Sequence, residues 1–247
     1  MPPQLELKQV WKKLFVSPIL LVSTLVIALA IPRFYWMLNG QYNHVIIVFL
    51  IMWILPFVFL TKIGRQSMGI RIPKKPEWLI YGFIFGLVAA SLIHYIGKGL
   101  YGQSVGNWYI SIMNSFNKNN LIEDIKPNPL LFILITFPTM IFSPIGEEFF
   151  FRGMVQDSFS TTLGNGRATL IDAGFFGITH LAHHGAALIL TSYEFFLSAL
   201  IWIALMGLVS LLLTSIRTKS GSIWGAVVCH AGFNFGMMGS IVYLLHE

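Results

Sequence analysis

Residues 129–163 read PLLFILITFPTMIFSPIGEEFFFRGMVQDSFSTTL, and two features of this stretch decide how the chain is read. It opens on an apolar run long enough for a bilayer-spanning helix, which takes roughly 20 apolar residues. It then carries Glu147, Glu148 and Arg152 among phenylalanines. Ionisable groups inside a span cost several kcal/mol each, so such a cluster is by default a hypothesis about function.

Working outward, six more segments read as spans, about 14–38, 43–61, 77–100, 168–184, 193–217 and 222–244, separated by Pro, Gly, Asn or charge clusters. Composition agrees, since only 11% of the 247 residues are charged, against roughly 25% in soluble domains. The expectation is an all-α, polytopic helical membrane protein of about seven transmembrane helices. The first segment follows Lys8, Lys12 and Lys13 and contains Ala28-Leu29-Ala30. It runs longer than a signal-peptide core and stays apolar through Trp36 and Leu38, so it reads as a retained span. One cysteine excludes an intrachain disulfide framework, and no basic-aromatic pattern points to nucleic acid. With no internal repeat or low-complexity tract, residues 1–247 read as one membrane-embedded domain whose motif-bearing core is 127–244.

Charge sets the orientation. An N-terminus inside places Lys8, Lys12, Lys13, Lys62, Arg65, Arg71, Lys74, Lys75, Arg167, Arg217 and Lys219 in the cytoplasm, 11 of 16 basic residues. Arg33, Lys98, Lys118 and Lys126 then fall outside or near the outer interface, and the C-terminus lies outside. The cluster Lys62 to Lys75 reads as a topology signal, with anionic lipid headgroups as the sharper alternative. The connection 101–128 reads as an external loop or interfacial segment.

Glu148 and Arg152 stand four apart on one helical face and can neutralise each other. Glu147 points about 100° away, which leaves it free for chemistry. Pro144 and Gly146 interrupt the helix just before it. The fifth segment contributes Phe176 and His180, and the seventh His230 and Asn234, again four apart. At 1.5 Å per residue from the cytoplasmic ends, Arg152, His180, His230 and Asn234 lie roughly 12–18 Å deep and Glu147 roughly 24 Å. Polar groups of three spans converging at similar depth point to a shared water-filled pocket. A carboxylate and a neutral His can polarise a water, while a second His and an Asn amide donate to the oxyanion formed on a carbonyl. These are the parts of a peptide hydrolase without a covalent nucleophile. Glu147, His180 and His230 would also serve as a two-His-one-carboxylate zinc site, but no His-Glu-x-x-His motif is present and Asn234 is a poor zinc ligand, so metal-independent chemistry is preferred.

These residues resemble the CAAX protease and bacteriocin-processing (CPBP, or Abi) family of intramembrane endopeptidases. Its two-Glu-then-Arg motif stands as Glu147, Glu148 and Arg152, its Phe-to-His motif as Phe176 and His180, and its His-to-Asn motif as His230 and Asn234, preceded by a similar run from Gly221 to Trp224. The resemblance covers about 100 residues, Ser143 to Asn234. It implies a helical membrane fold with a site open to the cytoplasm, Glu147 as general base, His180 as its partner on the water, His230 and Asn234 as oxyanion donors, and Glu148 with Arg152 in support. Eukaryotic relatives resemble an eight-span arrangement, so an eighth helix is possible.

The implied function is cleavage of a membrane-associated peptide or protein, such as a bacteriocin or peptide-pheromone precursor or a CAAX-like C-terminus, at the cell membrane. A non-catalytic scaffold or immunity protein, and a transporter, are the readings from other classes; the lack of repeat symmetry argues against the transporter. Other residues read as structural. His183 and His184 have no assigned chemistry, Cys229 is a buried inert thiol, and Asp157 and Asp172 form a solvated or salt-bridged interface. His44 and His94 are interfacial. The pairs Gly82 with Gly86, and Gly232 with Gly236, are helix-packing seams.

Overall fold

The computed structural model describes residues 6–15, 17–117, 129–184 and 193–245. Among these the elements are helical: α1 (Gln9–Leu14), α2 (Pro18–Leu38), α3 (Tyr42–Phe59), α4 (Lys62–Ser67), α5 (Glu77–Tyr101), α6 (Trp108–Asn117), α7 (Pro129–Glu148), α8 (Gln156–Leu163), α9 (Asn165–His180), α10 (Tyr193–Ser220) and α11 (Ile223–Gly239). A π-helical stretch, Phe149–Val155, joins α7 to α8, and a second, Ser240–Leu244, extends α11.

Among the described residues, five helices are long and apolar enough to cross a membrane: Pro18–Leu38, Glu77–Tyr101, Phe132–Leu163, Phe195–Ser220 and Ile223–Leu244. Their outward positions, Ile27, Ile31, Ile84, Val88, Leu92, Leu200 and Leu208 among them, are exposed apolar side chains that water would not tolerate and lipid would. The protein is thus a polytopic, all-α membrane protein. Two of the seven expected spans differ. The apolar run His44–Phe59 is shorter, and α9, at 16 residues and about 24 Å, is less than the roughly 30 Å hydrocarbon core.

Local signals set the ends. α2 starts at Pro18 and not at Leu14 because Ser17 Oγ accepts the Leu20 N–H and Pro18 sits at the first helical position. α10 and α11 turn sharply through Gly221, which has a positive φ of 70°, and Ser222 then caps α11.

The most extensive helix contact is α5 against α11. Its seam is made of glycine, as expected. A methyl on Gly86 would collide with the Cys229 carbonyl, one on Gly232 with the Phe83 carbonyl, and one on Gly236 with Leu87 and Ala90. Gly146 is packed against the Phe49 carbonyl in the same way, bringing α7 onto α3. Cys229 is buried within the α5–α11 seam.

Three expectations are corrected. The connection 101–128 is not wholly an external or interfacial segment: α6 buries Trp108, Tyr109 and Ile112, with Trp108 stacked on Trp202 at 5.8 Å. The remainder of that connection, with Lys118 and Lys126, lies outside the described residues. His94 does not face an interface with its side chain, being buried beside Tyr95 and Tyr109, whereas His44 is exposed beside Trp36. Arg33 is not an exposed residue turned to the outer interface. It is 1% exposed and points into the protein.

Candidate active site

The motif residues of α7, α9 and α11 meet. Glu147 and Glu148 close α7 and Arg152 lies in the π-helical stretch that follows, all fully buried. Stretches of this kind insert into α-helices frequently at functional sites. The expected pair forms, with Arg152 Nε 3.1 Å from Glu148 Oε2. A second carboxylate shares that arginine, Asp172 Oδ2 at 3.7 Å, and Ser210 donates to the same oxygen at 3.4 Å. Of the two expected alternatives for Asp172, solvated or salt-bridged, the salt-bridged one holds, within the buried network. Asp157 is paired as expected, bonded at 3.0 Å to Arg217, which also donates to the Met68 carbonyl.

The Phe-to-His spacing has a physical basis. Phe176 lies with its ring 4.1 Å from the Arg152 guanidinium carbon and 4.1 Å from the His180 ring, and its carbonyl takes the His180 Nδ1 proton at 2.7 Å. The four-residue offset lets one residue hold both the arginine and the imidazole. From α10, Trp202 Nε1 donates to the His180 carbonyl at 3.0 Å, fixing the end of α9.

On α11, His230 Nδ1 donates to Glu148 Oε1 at 2.8 Å, and Asn234 Nδ2 donates to the Thr139 carbonyl at 2.8 Å. Because each imidazole commits its Nδ1–H, both Nε2 atoms are turned inward. They converge on one atom: Glu147 Oε2 is 3.6 Å from His180 Nε2 and 3.8 Å from His230 Nε2, beyond direct hydrogen bonding, and it has no hydrogen-bond partner. Such an orphaned, buried acceptor demands an explanation.

The other oxygen of Glu147 is engaged by a residue that the motif reading missed. Arg33 Nη1 donates to Glu147 Oε1 at 2.6 Å, and Arg33 Nη2 donates to His183 Nε2 at 2.8 Å. Glu147 is thus not free of an arginine partner; its partner comes from α2. The signal was available, because Arg33 is the only charged residue of that helix. His183 braces Arg33, whereas His184 has a structural place, donating to Ser198 Oγ at 2.7 Å while Ser198 donates to the Gly106 carbonyl.

A cavity of about 210 Å³ opens beside the imidazoles, lined by His180, His183, His230 and Asn234 and otherwise mostly by apolar groups, including Met37, Phe142, Trp202, Met206 and Phe233. Glu147 lies behind the histidines and has no exposed surface. Among the described residues no group of three or more His, Cys, Asp or Glu is placed to hold a metal ion.

Residues 129–236 match the family model described as type II CAAX prenyl endopeptidase Rce1-like. That segment runs from α7 into α11 and contains all seven motif residues, whereas Arg33 precedes it. No curated protein and no solved structure matches the chain.

Proposed function

Through residues 129–236 the chain belongs to the Rce1-like, type II CAAX prenyl endopeptidase family, and from that premise we propose that this membrane peptide hydrolase cleaves its substrate with a water activated by Glu147. The observation that carries the reading is the orphaned Glu147 Oε2 facing two imidazole nitrogens at 3.6 and 3.8 Å. His180 Nε2 and Glu147 Oε2 both present lone pairs, and one water can donate a proton to each. So held, its oxygen is turned towards the cavity. As that oxygen bonds to the scissile carbonyl carbon, Glu147 takes one proton and the carbonyl oxygen becomes an oxyanion. His230, held through Nδ1 by Glu148, is placed to donate Nε2–H to the oxyanion, and Asn234 donates the N–H not used on Thr139. Glu147 then passes its proton to the amine as the C–N bond breaks. Glu148 and Arg152 support the site by orienting His230.

The apolar cavity favours a substrate that brings an aliphatic, aromatic or lipid group beside the scissile bond. We read the substrate as a membrane-associated peptide or protein, a bacteriocin or peptide-pheromone precursor or a CAAX-like C-terminus. Residues 1–247 act as one protease domain, since α2 reaches Glu147, with the N-terminus in the cytoplasm, the C-terminus outside and lipid around the apolar faces.

A zinc-dependent version of the same protease is the second reading. It is favoured by the two outward-braced imidazoles, whose engaged Nδ1 atoms are what metal-bound histidines usually show. Against it, Arg33 already neutralises the one carboxylate such a site would use.

The test compares membrane peptides and proteins in cells carrying wild type or Glu147→Ala. A precursor is expected to accumulate only in the variant. Purified Glu147→Ala with wild-type turnover would refute the assignment, and stoichiometric zinc whose removal stops turnover and whose return restores it would make Glu147 a ligand.

A further inference from the structure

Arg33 is the buried charge that the family segment does not account for. It sits in an otherwise uncharged helix, is 1% exposed, and makes the shortest ion pair of the site, 2.6 Å to Glu147. An arginine buried within a membrane helix bundle is costly unless paired, so its presence calls for a specific role. The guanidinium works as a two-pronged clamp. Nη1 takes Glu147 Oε1 and Nη2 takes His183 Nε2, while the cation lies 5.3 Å from the Phe49 ring centroid. His183 belongs to the 3₁₀ turn that directly continues the helix bearing His180. The clamp therefore joins α2, the end of α7 and the end of α9 around one carboxylate. With Oε1 tied by Arg33, Oε2 is the oxygen left to face both histidines.

We infer that Arg33, braced by His183, is a positioning residue of the reaction, fixing which oxygen of Glu147 meets the water. The inference rests on the reading of Glu147 as general base. It also separates Arg33 from Arg152, which holds Glu148 and so acts on His230, the oxyanion side. Lysine is a poor substitute for Arg33, because a single ammonium cannot present the planar fork that reaches Glu147 and His183 together.

The test uses the full-length protein in proteoliposomes and a quenched fluorogenic peptide ending in a prenylated Cys-aliphatic-aliphatic-Xaa sequence. Should wild type leave that peptide intact, the precursor that accumulates in Glu147→Ala cells replaces it. A misplaced reacting group costs about 10²-fold in rate, so Arg33→Met is expected to lower kcat by about that factor with KM within about threefold of wild type. Arg33→Lys should recover part of the loss, and His183→Ala should lower kcat by about tenfold, again without moving KM. A change confined to KM, or wild-type kcat in Arg33→Met while Glu147→Ala is dead, overturns the inference and leaves the general base standing. Wild-type turnover by Glu147→Ala removes the underlying reading instead. Where Arg33→Met fails to fold, Arg33→Lys and His183→Ala decide, and wild-type kcat in both overturns the clamp.

Discussion

Gly86 offers a sharp test of the packing that carries His230 and Asn234 into the site. A Cβ at Gly86 would strike the Cys229 carbonyl oxygen, stand 2.7 Å from the Phe233 nitrogen and 3.0 Å from the Cys229 carbonyl carbon. All three are backbone atoms, which cannot rotate aside as a side chain would. Ordinary van der Waals contact begins near 3.4 Å, so α5 and α11 must part by at least several tenths of an ångström. Overpacking of this kind costs about 1–3 kcal/mol, against which alanine recovers at most about 1 kcal/mol of helix propensity. The net loss of about 1–2 kcal/mol corresponds to a Tm about 2–8 °C lower for a chain of this size. Cys229 supplies the assay, since it is the only cysteine and is buried against this seam, so a thiol-reactive dye reports its exposure on heating. Gly99→Ala on the same helix is the control, because nothing lies within 4 Å of its Cβ, and it should melt at or slightly above wild type. Turnover should fall in Gly86→Ala and not in the control. Equal melting and equal turnover in the two variants would refute the close α5–α11 contact.

Two further outcomes follow from the charges. Arg152→Met leaves Glu148 and Asp172 buried without their shared cation, which should cost about 3–5 kcal/mol in the same melting assay; wild-type stability would show that the three groups are not paired. The orientation predicts that Lys75→Cys, just before α5, is shielded from an impermeant thiol reagent in intact cells while Ser104→Cys, just beyond its other end, is labelled; the reverse pattern would invert the protein and its site.

What the sequence discloses about this site is what helical periodicity encodes. Glu148 with Arg152, Phe176 with His180, and His230 with Asn234 are each four apart, and that spacing fixes their relative direction whatever the helix packs against. The glycine seams were legible for a related reason, because small residues one turn apart form a groove that only another backbone fills well. The partners that bridge helices carry no such signature. Arg33 and Glu147 are 114 residues apart, and nothing local in either segment points to the other. Arg33 reads as interfacial from sequence because it lies near the end of its apolar run, although the rule that singles out Glu147 applies equally to a lone arginine in a span. α6 was missed as a buried element because its polar neighbours lower the apolar density of the connection, while Trp108 and Tyr109 are buried by packing and by bonds to the Ser198 and Ala90 carbonyls.

The same distinction explains why the candidate site is larger than the segment that matches the family model. Carboxylates held in a lipid-surrounded bundle have to be neutralised nearby, since the penalty for an unpaired buried charge exceeds what a single exposed ion pair returns. Glu148 solves this within its own helix and shares Arg152 with Asp172. Glu147 cannot use Arg152, because it faces another direction, and its cation has to arrive from a different helix. The proposed catalytic residues can therefore all lie in 129–236 while the charge that makes Glu147 tolerable there comes from α2. If Glu147 is the general base as proposed, assembly of α2 onto the core is a condition for that role and not an accessory to it.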